Sequence, residues 1–116
     1  ARFADAPDPA LRERVAQALV NKGVTLGVLG RSVEEIGVYD EVVARFADAP
    51  DPALREQVAQ ALVNKGVALG VLERSVEAID VYDEVVARFA DAPDPALREA
   101  VAWALSARQE TEEGAD

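Results

Sequence analysis

The feature that most constrains this chain is repetition. Residues 1–43 and 44–86 align without a gap and differ only at Arg14/Gln57, Thr25/Ala68, Gly30/Glu73, Glu35/Ala78 and Gly37/Asp80. A third copy begins at Ala87 and keeps the pattern to Glu99. It then diverges: Trp103 stands where the earlier copies have Gln17 and Gln60, and Ser106-Ala107-Arg108-Gln109 replaces Val-Asn-Lys-Gly. A period of this size marks a supersecondary unit that cannot bury its apolar face alone and must stack on its neighbours. The chain divides accordingly into a repeat domain over 1–108, with repeats at 5–47 and 48–90 and a capping helix at 94–108, and a polar tail at 109–116.

Each unit reads as two helices. Asp5-Ala6-Pro7-Asp8-Pro9, repeated at 48–52 and 91–95, is the connector. A residue before proline avoids helical angles, so the first proline helps end the preceding helix. Asp-Pro then opens the next, because the aspartate can accept from free backbone N–H groups and proline suits the first helical position. Ala1-Arg2-Phe3 matches Ala44-Arg45-Phe46 and reads as the tail of a preceding helix. The long helix is expected from about Pro9 to Leu29 and from about Pro52 to Leu72. In the second copy Leu54, Val58, Leu62, Gly66 and Leu69 form one stripe at helical spacing, and Ala59, Val63, Val67 and Val71 another. Two stripes imply a helix covered from two directions.

Gly66 inside that helix costs roughly 0.5–1 kcal/mol relative to alanine, and close approach of another helix is the expected compensation. Gly30 fits a left-handed helix end; Glu73 does not, so the second turn is expected to close differently. The short helix runs from about Ser75 to Phe89, with Ser32 and Ser75 as N-cap candidates and Ser32-Val33-Glu34-Glu35 spaced as a capping box. Ala78, Ile79, Tyr82, Val85, Val86 and Phe89 form its apolar stripe. The tail from Gln109 to Asp116 has no apolar period and is expected to fray.

Composition removes whole classes of function. There is no histidine or cysteine, hence no imidazole base, thiolate nucleophile or thiolate metal site. A net charge of −10 opposes nucleic acid and anionic lipid, both of which need a basic surface. No apolar run approaches the ~20 residues of a membrane span, and no leader segment is visible, which points to a cytoplasmic protein. The absence of an initiator methionine suggests a fragment or trimmed chain. Asp48 and Asp51 read as turn and cap residues, since Ca2+ needs six to eight convergent oxygens. The pairs Glu34-Glu35, Asp40-Glu41 and Asp83-Glu84 read as solvated faces, because helix neighbours point apart. No enzyme, metal or cofactor is expected.

The pattern Asn64 and Gly66 in the first helix, then Ala78 and Tyr82 in the second, with Gly30 between helices, resembles the tetratricopeptide repeat. The unit exceeds that family's usual length of about 34 residues and is similar to a longer class of about 42. The resemblance implies an all-α solenoid of antiparallel helix hairpins, here two full repeats plus a closing helix. It also implies that the first helices line a peptide-binding face. Glu35, where the second copy has Ala78, departs from the pattern and opposes a close helix crossing in the first unit. Val63 and Val67 (Val20 and Val24 in the first copy) stand where the family's carboxylate clamp has polar groups, and only Asn21 and Asn64 match it. Capture of a C-terminal carboxylate is therefore not expected.

The expected function is a non-catalytic protein- or peptide-binding scaffold. Its contacts are Gln17, Val20, Asn21 and Val24, then Gln60, Val63, Asn64 and Val67, with Trp103 at the far end. For the valines two readings stand: packing between successive long helices, or an apolar strip in the groove. Asn21 and Asn64 either bond a partner's backbone or satisfy a neighbouring helix; Trp103 either caps the core or anchors a partner. The alternative function is self-assembly, a homo-oligomer formed through open, self-similar repeat ends.

Overall fold

A computed structural model describes residues 8–114. The reading of Ala1-Arg2-Phe3, the first connector up to Pro7, and the last two residues of the tail lie outside them. Five helices follow in order: α1 (Pro9–Val28), α2 (Ser32–Phe46), α3 (Pro52–Val71), α4 (Ser75–Phe89) and α5 (Pro95–Gly114). They pack as sequential antiparallel hairpins. The long helices also pack side by side, α1 on α3 and α3 on α5. The protein is thus all-α, with the organisation of a helical repeat. No described helix is long and apolar enough to cross a membrane.

The helix starts follow the Asp-Pro signal. The carbonyls of Asp8, Asp51 and Asp94 accept the first helical bonds, from Arg12, Arg55 and Arg98. Only Asp8 also caps with its side chain, Oδ1 accepting from the Ala10 N–H at 2.9 Å. The short helices start differently from expectation. Arg31 and Arg74, not Ser32 and Ser75, are the N-caps, because the carbonyls of Arg31 and Arg74 accept from the N–H groups of Glu35 and Ala78. The serines are then the first helical residues, and no capping box forms. Each arginine pairs instead with the glutamate three residues on, Arg31 with Glu34 and Arg74 with Glu77.

The hairpin turns overturn a second expectation. At the end of α1 the N–H of Gly30 donates to Gly27 O and that of Arg31 to Leu26 O, the paired bonds of a Schellman end. The end of α3 makes the same two bonds, Glu73 to Gly70 O and Arg74 to Leu69 O. Glu73 takes φ +59° where Gly30 has +75°. The glutamate therefore adopts the glycine's left-handed conformation, within the same pair of turn bonds.

α3 is the central helix. Its stripe Leu54, Val58, Leu62, Gly66 and Leu69 is buried throughout. The second stripe divides: Ala59 and Val63 are buried, whereas Val67 and Val71 face solvent. A Cβ on Gly66 would overlap the Tyr82 ring, and one on Gly23 the Tyr39 ring. The two crossings are thus equally close, so Glu35 does not hold the first pair apart. Repeat-to-repeat contacts recur as well: Lys65 Nζ lies 2.7 Å from Asp40 Oδ1 and Arg108 Nε 2.5 Å from Asp83 Oδ1, joining α3 to α2 and α5 to α4. Arg12 over Phe46 and Arg55 over Phe89 repeat one cation–π contact, at 5.9 and 5.6 Å.

The last helix runs past the expected boundary at Arg108: α5 continues to Gly114. Ala107 is buried, and the Thr111 hydroxyl donates to its carbonyl at 2.7 Å. Arg108–Glu112 and Gln109–Glu113 bonds extend the helix by pairs four residues apart. The polar tail lacks a stripe because only one of its faces touches protein.

Candidate functional site

The inner, long-helix face carries two grooves. The first, of about 500 Å³, lies between α1, α2 and α3. Its walls are Val24, Gly27 and Val28 of α1 and Val67, Ala68 and Val71 of α3, with Leu72 beyond. Its polar groups are Ser32, Glu35, Tyr39 and Asn64. The second, of about 430 Å³, lies between α3 and α5 and is lined by Gln60, Val63, Asn64, Val67, Ala96, Glu99, Ala100 and Trp103.

The sequence-predicted residues divide among these grooves. Gln60, Val63, Asn64, Val67 and Trp103 meet in the second, and Val24, Asn64 and Val67 in the first. Asn64 and Val67 line both, so α3 forms the ridge between them. Gln17, Val20 and Asn21 line neither groove. Val20 and Val63 are core residues at 5% and 9% exposure, while Val24 and Val67 are 45% and 44% exposed. Burial therefore separates the two members of each pair, although Val63 also lines the second groove with its remaining surface. The reason is one helical turn: Val20 and Val63 face the neighbouring long helix, and Val24 and Val67 lie where the groove opens.

The polar residues are held locally. Gln60 donates to Asn64 Oδ1 at 3.0 Å across one turn, which fixes both amides along the ridge. Trp103 packs edge-on against Tyr82, centroids 5.8 Å apart, yet stays 45% exposed. It touches the core with one edge and the second groove with the rest.

Glu35 and Tyr39 were not among the predicted contacts. The Tyr39 hydroxyl donates to Glu35 Oε2 at 2.7 Å, and both residues are buried. Gly27 makes the room, since a Cβ there would sit 2.7 Å from Glu35 Oε2. Burial raises the Tyr39 pKa, with the hydrogen bond to Glu35 and its negative charge adding to the shift. Burial also raises that of Tyr82, helped by the charge of Glu110. Both phenols therefore keep their protons, and Tyr39 donates its own to Glu35. The signal for Glu35 was present in the sequence as a carboxylate at a position where the other copy carries alanine.

Among the described residues no group of three or more Asp or Glu is placed to hold a metal ion. Comparison with known proteins finds no matching family model, no matching curated protein and no matching solved structure. What the fold and the grooves define is a class: an all-α protein of stacked helical hairpins.

Proposed function

We propose that this protein is a non-catalytic scaffold that holds a peptide or protein segment on its long-helix face, built on tetratricopeptide-like hairpins. The observation that carries the reading is the division of the valines. Val24 and Val67 remain nearly half exposed along a groove that Asn64, bonded to Gln60, also lines, while the valines one turn away are buried. Apolar walls with a few fixed polar groups suit a segment that offers apolar side chains and a backbone to bond. The glycine-against-tyrosine crossing in both hairpins supports the tetratricopeptide-like assignment.

The test is selection of a displayed peptide library against the protein, with Val24→Ser/Val67→Ser as the comparison. Selected peptides should bind the variant about tenfold or more weakly, because two apolar wall contacts are lost, while helicity by circular dichroism stays unchanged. Failure to enrich any peptide, or equal binding to the variant, would contradict the reading. Val63 is unsuited to this test, since replacing it disturbs the core.

A further inference from the structure

The first groove contains a carboxylate that no cation among the described residues pairs with. Glu35 is 8% exposed. Its Oε2 accepts from Tyr39, and its Oε1 accepts no hydrogen bond from the described residues. No fully buried side-chain oxygen among the described residues lacks a partner, so Oε1 keeps some solvent contact, and Glu35 lines the groove. The nearby cations are engaged elsewhere: Arg31 with Glu34 and Lys65 with Asp40. Glu35 is in none of the ion pairs among the described residues. A carboxylate held among apolar side chains without a countercharge is unfavourable, and an arriving cation relieves that cost.

We propose that the groove between α1, α2 and α3 receives a lysine side chain of a peptide partner. Its ammonium meets Glu35 Oε1 and its alkyl stem lies against Val24, Val28 and Val67. The proposal rests on the peptide-binding reading above and names its ligand chemistry. The net charge of −10 favours basic segments in general; the groove adds selection within them. Arginine binds carboxylates best through both oxygens at once. Here the Tyr39 hydroxyl already occupies one lone pair of Oε2, which leaves Oε1 with the larger free acceptor capacity and suits the one-point contact of a compact ammonium. The second hairpin is an internal control. Ala78 occupies the equivalent position, and a Cβ on Gly70 would meet nothing within 4 Å.

The test is titration of 15N-labelled protein with the blocked peptide Ac-Ala-Val-Lys-Val-Ala-NH2 and its analogues with arginine or norleucine at the centre. The lysine peptide should shift the amides of Val24, Gly27, Glu35 and Val67. It should bind about tenfold more tightly than the norleucine peptide, and severalfold more tightly than the arginine peptide of equal charge. Glu35→Ala should abolish the preference for lysine over arginine while keeping the helical spectrum, because the second hairpin folds with alanine there. Equal binding of all three peptides at these amides would overturn the lysine proposal and leave the scaffold reading standing. So would a preference that survives Glu35→Ala. If no peptide shifts any long-helix amide, the lysine proposal fails, and the library selection then decides the scaffold reading separately.

Discussion

The two hairpins, α1–α2 and α3–α4, share a backbone and differ in what they leave open. Both close a tyrosine onto a helix glycine, both end the long helix with the same pair of turn bonds, and both pass to the next long helix through an ion pair. The differences follow from position in the stack. Thr25 is exposed on α1, while its counterpart Ala68 is buried on α3, which packs against both other long helices. Arg14 and Gln57 differ in the same sense, the charged residue on the more exposed helix. Glu35 against Ala78 has no such explanation from packing. It changes the chemistry of a groove without moving the scaffold. Gly37 and Asp80 are both exposed, and nothing in the structure explains that exchange.

The comparison can be broken first at the crossings. Gly23→Ala and Gly66→Ala should each cost about 2 kcal/mol, since a methyl group forced against a buried ring outweighs the gain in helix propensity. Urea unfolding of each variant measures this, and a cost confined to one hairpin would show that the crossings are not equivalent. The next pair should differ in sign. Gly70→Ala should stabilise by about 0.5–1 kcal/mol, because a Cβ there meets nothing and alanine favours helix. Gly27→Ala should destabilise by about 1 kcal/mol, because the methyl displaces the Glu35 carboxylate from its bond to Tyr39. An effect no larger than that at Gly70 lies in the turns. Glu73→Gly should raise stability by about 0.5–1 kcal/mol by removing left-handed strain; a thermal melt that shows no gain would mean that the glutamate is not strained there.

Much of the fold was legible in the sequence. The repeat gave the helix count, Asp-Pro gave the starts of the long helices, and Gly66 announced a close crossing before its partner Tyr82 was located. The misses have local causes. Ser32 and Ser75 looked like caps because serine prefers that position, but the compact turn assigns the cap to the arginine before them. Glu73 looked unfit for a left-handed turn because preference counts only the residue, while the two flanking helices fix the backbone. The tail reads as frayed because the contact row that enters it, Ala107 and then Thr111, is too short to register as a stripe.

The candidate site was only partly readable. A spacing of four places Val63 and Val67 on one stripe, but whether a given turn is covered depends on where the neighbouring long helix lies. In the sequence Glu35 stands out as a departure from Ala78 and reads as an obstacle to the crossing. Its position opposite Gly27, which turns the departure into a groove residue, requires the three-dimensional pairing of α1 with α2.

The central claim is that Glu35 lies against Gly27 in the groove and is the feature that sets the first hairpin apart from the second. Unfolding free energies of Gly27→Ala, Glu35→Ala and the double variant test it most directly. The account predicts a coupling of about 1–2 kcal/mol between the two positions, with Gly27→Ala becoming stabilising, as at Gly70, once the carboxylate is gone. Additive effects, with Gly27→Ala equally destabilising in both backgrounds, would contradict it.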